Sequence, residues 1–340
     1  MKELGLLGKF AFGVNLLVAL LLLISFVLPH FPPTKYPNVS LLSLAVSPLI
    51  LLNVIFVVYW IIRLQMQFAL SLTMLVAAWF YFNPFVEFSS EGNFGDYGNK
   101  LKILSYNVRL FNAYEKEPSV DFLSSFSKLL EDKDPDVLCI QEYYRNANLN
   151  FSAYKYKFVH FNGLKNKLGH AIFSKYPIIT TGAFDFESSS NNALFADIVK
   201  GNDTIRVYNL HLQSLGITPT VDALQEDDKD RLRNRISTAF GRQQNQVEKI
   251  IAHKAQSPYK NLVCGDFNNT SFSYVYRKMQ INMKDAFVER GGGLGTTFLF
   301  DNYPMRIDFI LTSSKLEVLK FETGKNSFSD HYPISATIGW

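Results

Sequence analysis

Six apolar runs between Leu101 and Pro333 end in groups that can do chemistry: Asn107-Val108-Arg109, Gln141-Glu142, Asn209-Leu210-His211, Asp266-Phe267-Asn268, Arg306-Ile307-Asp308 and Ser329-Asp330-His331. Carboxylate and amide oxygens suit a hard cation such as Mg²⁺ or Mn²⁺, and two imidazoles with a spare carboxylate suit proton transfer around a phosphate. A lone Glu at a strand end is most often solvated, and a lone His is readily a core group bonded to a carbonyl. The recurrence of such ends weighs against independent accidents. Asp266 and Asn268, two apart on extended backbone, are expected to point the same way, with Phe267 turned into the core. Asp308 is placed to accept the second N–H of His331, holding its tautomer and raising its basicity. No Ser or Cys nucleophile is evident, so water is the expected nucleophile.

Strand-forming residues must bring these ends together. Strands are expected at residues 102–108, 137–141, 156–161, 170–174, 193–199, 204–210, 262–265, 307–312, 316–322 and 334–338. Amphipathic helices are expected at 120–132, with Phe122, Phe126, Leu129 and Leu130 on one side, and at 242–253. So many strands with so few helices argue against a doubly wound parallel sheet and for two packed mixed sheets with helices outside. The connection 214–241 carries Asp227, Asp228 and Asp230, then Arg231, Arg233 and Arg235, and is expected to form a partly helical lip beside the cleft.

The first 86 residues have a different composition. From Phe10 to Val86 the only charges are Lys35 and Arg63. Three uncharged runs result, and three membrane helices are expected at 10–28, 40–62 and 66–86, followed by a linker at 87–100. A cleaved leader fits poorly, because the first run enters Leu28-Pro29-His30 without a small-x-small site. Lys2, Lys9 and Arg63 fall on one side and Lys35 on the other, so retention of positive charge inside places residues 101–340 outside the cytoplasm. Those four cations less Glu3 account for +3 of the formal +4, leaving +1 for the rest. That balance does not favour tight nonspecific DNA binding. Lys165 and Lys167, like the three arginines, read as solvated faces. Cys139 and Cys264 lie within strand-like runs, as buried thiols by default or as a disulfide between neighbouring strands.

The most specific stretches are Pro135-Asp136-Val137-Leu138-Cys139-Ile140-Gln141-Glu142, Gly169-His170-Ala171-Ile172-Phe173-Ser174-Lys175-Tyr176-Pro177-Ile178, Gly265-Asp266-Phe267-Asn268 and Ser329-Asp330-His331-Tyr332-Pro333-Ile334. In this order they resemble the endonuclease/exonuclease/phosphatase superfamily over residues 101–340. The resemblance implies a four-layer α/β/β/α sandwich (DNase I-like), here preceded by three transmembrane helices. It implies Glu142 as principal Mg²⁺ ligand, helped by Asn107 and Asp330, and His331 with Asp308 as the catalytic pair. It further implies that Asp266 and Asn268 position water and phosphate, and that His211 donates to a phosphoryl oxygen or the leaving group. Arg109, a candidate substrate contact, makes an Asn-x-Arg pattern that resembles the DNase I and sphingomyelinase branches. Asn191 and Asn192 stand where DNase I pairs its first histidine with an acid, which leaves His211 without that partner.

The expected activity is a membrane-anchored, Mg²⁺- or Mn²⁺-dependent phosphoesterase, nuclease-like in its motifs. The partners expected are a phosphoester substrate, in nucleic acid or a phospholipid head group, and the lipid bilayer, with no obligate protein partner evident. The alternatives are a phospholipid or sphingomyelin phosphodiesterase, an inositol-phosphate phosphatase, or a catalytically silent binding module on the same scaffold.

Overall fold

The computed structural model describes residues 4–82, 86–113, 121–145, 149–161, 168–325 and 327–340. Lys165 and Lys167 lie outside the described residues, as do Val120 and residues 83–85 of the third expected span. Strands covered on both faces read as continuous apolar runs, and Gly169–Ser174 is buried throughout. The strand Ile178–Asp185, absent from the sequence expectation, is an edge: none of its residues is fully buried, and Thr180, Thr181 and Gly182 break the apolar signal.

Two six-stranded mixed sheets form the body. In spatial order, one holds Glu317–Thr323, Ile334–Gly339, Lys100–Asn107, Val137–Tyr143, Gly169–Ser174 and Tyr156–Phe161. The other holds Met283–Asp285, Asp308–Ser313, Lys260–Asp266, Asp203–His211, Asn192–Lys200 and Ile178–Asp185. Each contains one parallel pair, Lys100–Asn107 with Val137–Tyr143 and Asp203–His211 with Lys260–Asp266. Ile103, Ile172, Val207, Cys264 and Ile310 fill the space between the sheets. The helix Phe122–Lys133, capped by Asp121, covers the first sheet, and Lys229–Ala255 with Tyr274–Gln280 covers the second. The four-layer α/β/β/α expectation holds. Cys139 and Cys264 are buried free thiols, so the disulfide alternative is not realised.

Ahead of the sheets, the helices Leu6–Ser25, Val46–Ile62 and Phe68–Phe82 pack on one another. Two stretches, Leu6–His30 and Pro37–Ile62, are long and apolar enough to cross a membrane. Phe68–Phe82 has 15 residues, about 22 Å of helix against roughly 30 Å of hydrocarbon. The third expected span is thus corrected to a shorter apolar helix, which begins only after Gln65 and Gln67. These helices bury Asn15, Asn53 and Ser71 and expose many of their leucines. Trp60 Nε1 donates to Asn15 Oδ1 (2.8 Å), and Asn15 Nδ2 donates to Ser71 Oγ (2.6 Å). Leu16, Leu17, Leu20 and Leu23, by contrast, face outward. That is the reverse of a bundle in water.

Residues 87–100, expected as a linker, are stitched to the sheets, and Lys100 already opens a strand. Glu87–Phe88 pairs with Gly292–Gly293, the Gly92 amide donates to the Leu319 carbonyl (2.7 Å), and Asn99 and Trp340 exchange backbone hydrogen bonds. The helical segment is seated as well. Thr34 donates through N and Oγ1 to Gln244 Oε1 (3.0 and 3.1 Å), Ser47 Oγ lies 2.7 Å from Tyr303 Oη, and Phe82 meets Phe272 edge-on.

Candidate active site

Strand register assembles half of the site. His211 lies opposite Asp266, and Asp266 opposite Asp308, so three adjacent strand ends carry an imidazole and two carboxylates side by side. Gly265 makes the close approach possible. Its φ is +129°, and a Cβ there would strike the Leu210 backbone. Asp266 accepts hydrogen bonds from the Asn268 amide (2.7 Å), Asn268 Nδ2 (3.2 Å) and Asn107 Nδ2 (3.1 Å). Asn268 has φ +49°, so the chain turns there instead of continuing extended, and its Nδ2 also donates to the Leu212 carbonyl (3.0 Å). The expectation of two side chains projecting from one extended face is corrected to a local turn closed on Asp266.

The other sheet supplies Asn107 and Glu142. Glu142 sits in a register shift between Ile140 and Tyr143 with φ +52°, a bulge that carries its carboxylate off the strand face. Asn107 Nδ2 lies 3.4 Å from Glu142 Oε1, and its Oδ1 accepts the Arg109 amide. Residues 109–112 all have positive φ. This left-handed turn holds the half-exposed Arg109 side chain with Nε 3.9 Å from Asp330 Oδ2. Such backbone costs about 1 kcal/mol or more per residue and gathers where function needs it.

Ser329 ties the last segment to the first, its hydroxyl donating to the Asn107 carbonyl (2.8 Å). His331 is thereby brought beside Asp308, Nδ1 to Oδ2 2.9 Å, and its Nε2 lies 3.6 Å from Asp266 Oδ2. His211 Nε2 is 3.7 Å from Asp266 and 3.8 Å from Glu142. Asn107, Glu142, His211, Asp266, Asn268, Asp308 and His331 thus form one connected cluster, with Asp330 and Arg109 at its rim.

Burial and charge set the protonation of this cluster. Burial opposes the charged form of His331, but Asp308 and Asp266 outweigh it and raise the ring to about 10. Burial lowers His211, leaving it neutral, and raises Asp266. Glu142 is raised by burial and then by the Asp330 charge. Two carboxylates that repel each other, with an amide beside them and one guanidinium at the rim, are a donor set that a hard cation would relieve. Asp266, Asp308 and His331 also bring ligand atoms within 4.8 Å of one another and could hold an ion. The oxygens of Glu142, Asn107 and Asp330 are all hard donors and suit Mg²⁺ or Mn²⁺ better than a set that includes an imidazole.

The sequence does not announce the supporting role of several residues. Gln141 Nε2 joins the sheets beneath the site by donating to Asn209 Oδ1 (2.6 Å) and Ser105 Oγ (3.0 Å). Thr297 Oγ1 accepts the Ile307 and Asp308 amides and so fixes the start of the Asp308 strand. Asn192 pairs with His170 Nδ1 (2.7 Å), so the carboxylates nearest His211 are Asp266 and Glu142.

A model described as the endonuclease/exonuclease/phosphatase family matches residues 104–331, and a domain of unknown function matches residues 8–85. No curated protein matches. Among solved structures, a functionally unknown conserved protein from Enterococcus faecalis V583 is 22% identical over 71% of this chain and 100% of its own, with a TM-score of 0.52. Truncated Caenorhabditis elegans TDP2 is 18% identical over 72% and 99% (TM-score 0.53). An endonuclease/exonuclease/phosphatase from Bacteroides vulgatus is 18% identical over 71% and 98% (TM-score 0.54). At these identities the neighbours speak to the fold.

Proposed function

The chain belongs to the endonuclease/exonuclease/phosphatase family, and from that membership and the cluster's geometry we propose a membrane-anchored, divalent-metal-dependent phosphoesterase that cleaves phosphodiesters by in-line attack of water. The observation that carries this reading is the contact path from Glu142 through His211 and Asp266 to His331 and Asp308.

Glu142, Asn107 and Asp330 would hold the cation, which when bound supplies Lewis acidity at a phosphate oxygen. His331, kept protonated by Asp308, offers its Nε2–H to a second phosphate oxygen as charge builds. Asp266, whose basicity burial raises, takes the proton of the attacking water, and Asn268 fixes that carboxylate's direction. His211, neutral and beside both Asp266 and Glu142, donates to the phosphoryl group or the leaving oxygen. The Asp308–His331 dyad is thus assigned to holding phosphate, and proton removal moves to Asp266.

The outward leucines and inward Asn15 of the leading helices support bilayer anchoring. Thr34 and Phe82 both meet the sandwich, so Phe68–Phe82, though short, returns the chain to the end that carries Lys35, away from Lys2, Lys9 and Arg63, and this supports an extracytoplasmic site. The motifs leave nucleic acid and lipid head groups open as substrates. One observation favours the lipid. The hairpin of Phe298–Phe300 and Tyr303–Met305 places Phe298 against His331, with ring centroids 5.0 Å apart, and bonds Tyr303 to Ser47 at the head of an apolar helix. The cleft rim is therefore tied to the membrane end of the molecule.

The test is hydrolysis of bis(p-nitrophenyl) phosphate by the full chain in nanodiscs. EDTA should abolish turnover and Mg²⁺ or Mn²⁺ restore it, with Glu142→Gln failing to recover. Turnover indifferent to EDTA would overturn the reading.

A further inference from the structure

Beside the cleft lies a cavity of about 400 Å³ that the chemistry above does not use. Its wall begins two residues beyond His211, at Gln213, and is completed by the first half of the long helix Lys229–Ala255. Every charged residue lining it is an arginine: Arg231, Arg235 and Arg242. Their spacing, with Thr238, follows one face of a helix. Arg235 is committed, pairing with Asp227 (2.6 Å) and donating to the Gly216 carbonyl (3.0 Å). Arg231 and Arg242 have no ion pair among the described residues. The cavity is therefore lined by two guanidiniums without an ion-pair partner and a third held by Asp227, and each planar guanidinium is a fork that matches phosphate oxygens.

The same helix shows how the cavity sits relative to the bilayer. Gln244 receives the two hydrogen bonds of Thr34, and Gly241 lies against the Thr34 methyl group. Thr34 belongs to the short connection between Leu6–His30 and Pro37–Ile62, the two stretches able to span a membrane. Arg242 is next in sequence to Gly241, so the cavity opens at the level where this connection would meet the head groups. We propose that it is a binding site for the phosphate of an anionic phospholipid in the leaflet on which the domain rests, holding that lipid beside the catalytic cleft. This rests on the bilayer-anchored reading above. The near-neutral charge of the remaining chain and the tie of the cavity wall to Thr34 favour a lipid over a polynucleotide.

The test uses the full chain in phosphatidylcholine nanodiscs containing phosphatidylglycerol as probe, with retained lipids counted by native mass spectrometry. Wild type should keep phosphatidylglycerol in preference to phosphatidylcholine. Arg231→Gln with Arg242→Gln should lower that preference about tenfold or more, and the double Lys variant should restore much of it. Hydrolysis of bis(p-nitrophenyl) phosphate should be unchanged in both. Equal retention by wild type and the Gln variant overturns the proposal. So does a variant that loses affinity for a labelled oligothymidylate while keeping phosphatidylglycerol, and so does displacement of the lipid by millimolar inorganic phosphate. Loss of EDTA-sensitive hydrolysis in wild type, with lipid preference intact, would instead strike the catalytic assignment alone.

Discussion

At the scale of single residues, two buried histidines pull stability in opposite directions with pH. His331 carries a raised pKa, so the native state holds its proton where the unfolded chain releases it. In EDTA the protein should be most stable below about 6.5 with respect to this group and lose that contribution as pH rises toward 10. His170 is lowered to about 3 by burial, so the unfolded chain takes up a proton that the native state refuses. Stability should fall as pH drops below 6.5 toward 3. Melting temperature against pH in EDTA checks both limbs, and His331→Gln should flatten only the alkaline one. In catalysis, His331→Ala should cost roughly a hundredfold or more with metal affinity retained. Unchanged turnover would contradict its assignment.

At the scale of elements, two neighbouring details separate architecture from chemistry. Gly265→Ala should abolish folding or leave no turnover, because the new Cβ meets the Leu210 backbone in the layer that aligns His211 with Asp266. Asp121→Ala removes the acceptor for the Leu123 and Ser124 amides and should cost about 1 kcal/mol of stability with turnover unchanged. Thermal denaturation and initial rates on purified variants read both. Most of these elements were legible beforehand, because apolar runs with polar ends mark strands buried on both faces. The edge strand Ile178–Asp185 was not, since an exposed edge lacks that contrast. Nor were the bulge at Glu142 and the turn at Asn268, where backbone of positive φ re-aims a side chain that simple alternation would send elsewhere. The site residues could be found by type and order. The bridging roles of Gln141, Asn209 and Thr297 could not, because a buried amide or hydroxyl does not name its partner until the distant segments are brought together.

At the scale of the whole molecule, a two-sheet sandwich stands on apolar helices through hydrogen bonds at Thr34 and Ser47 and the ring contact of Phe82 with Phe272. Asn15 is the internal fastening of those helices, and Asn15→Leu should loosen them by about 1 kcal/mol, read as a lower unfolding temperature in detergent with the sandwich's own melting unaffected. The account as a whole depends on distant strand ends creating a place for one divalent ion. Anomalous diffraction from crystals soaked in Mn²⁺ addresses it without reference to any substrate. One peak roughly 2.2 Å from a Glu142 oxygen, with Asn107 or Asp330 completing the shell, is the expected result. A peak held by Asp266, Asp308 and His331 with Glu142 unoccupied, or no peak in the cleft, would contradict it.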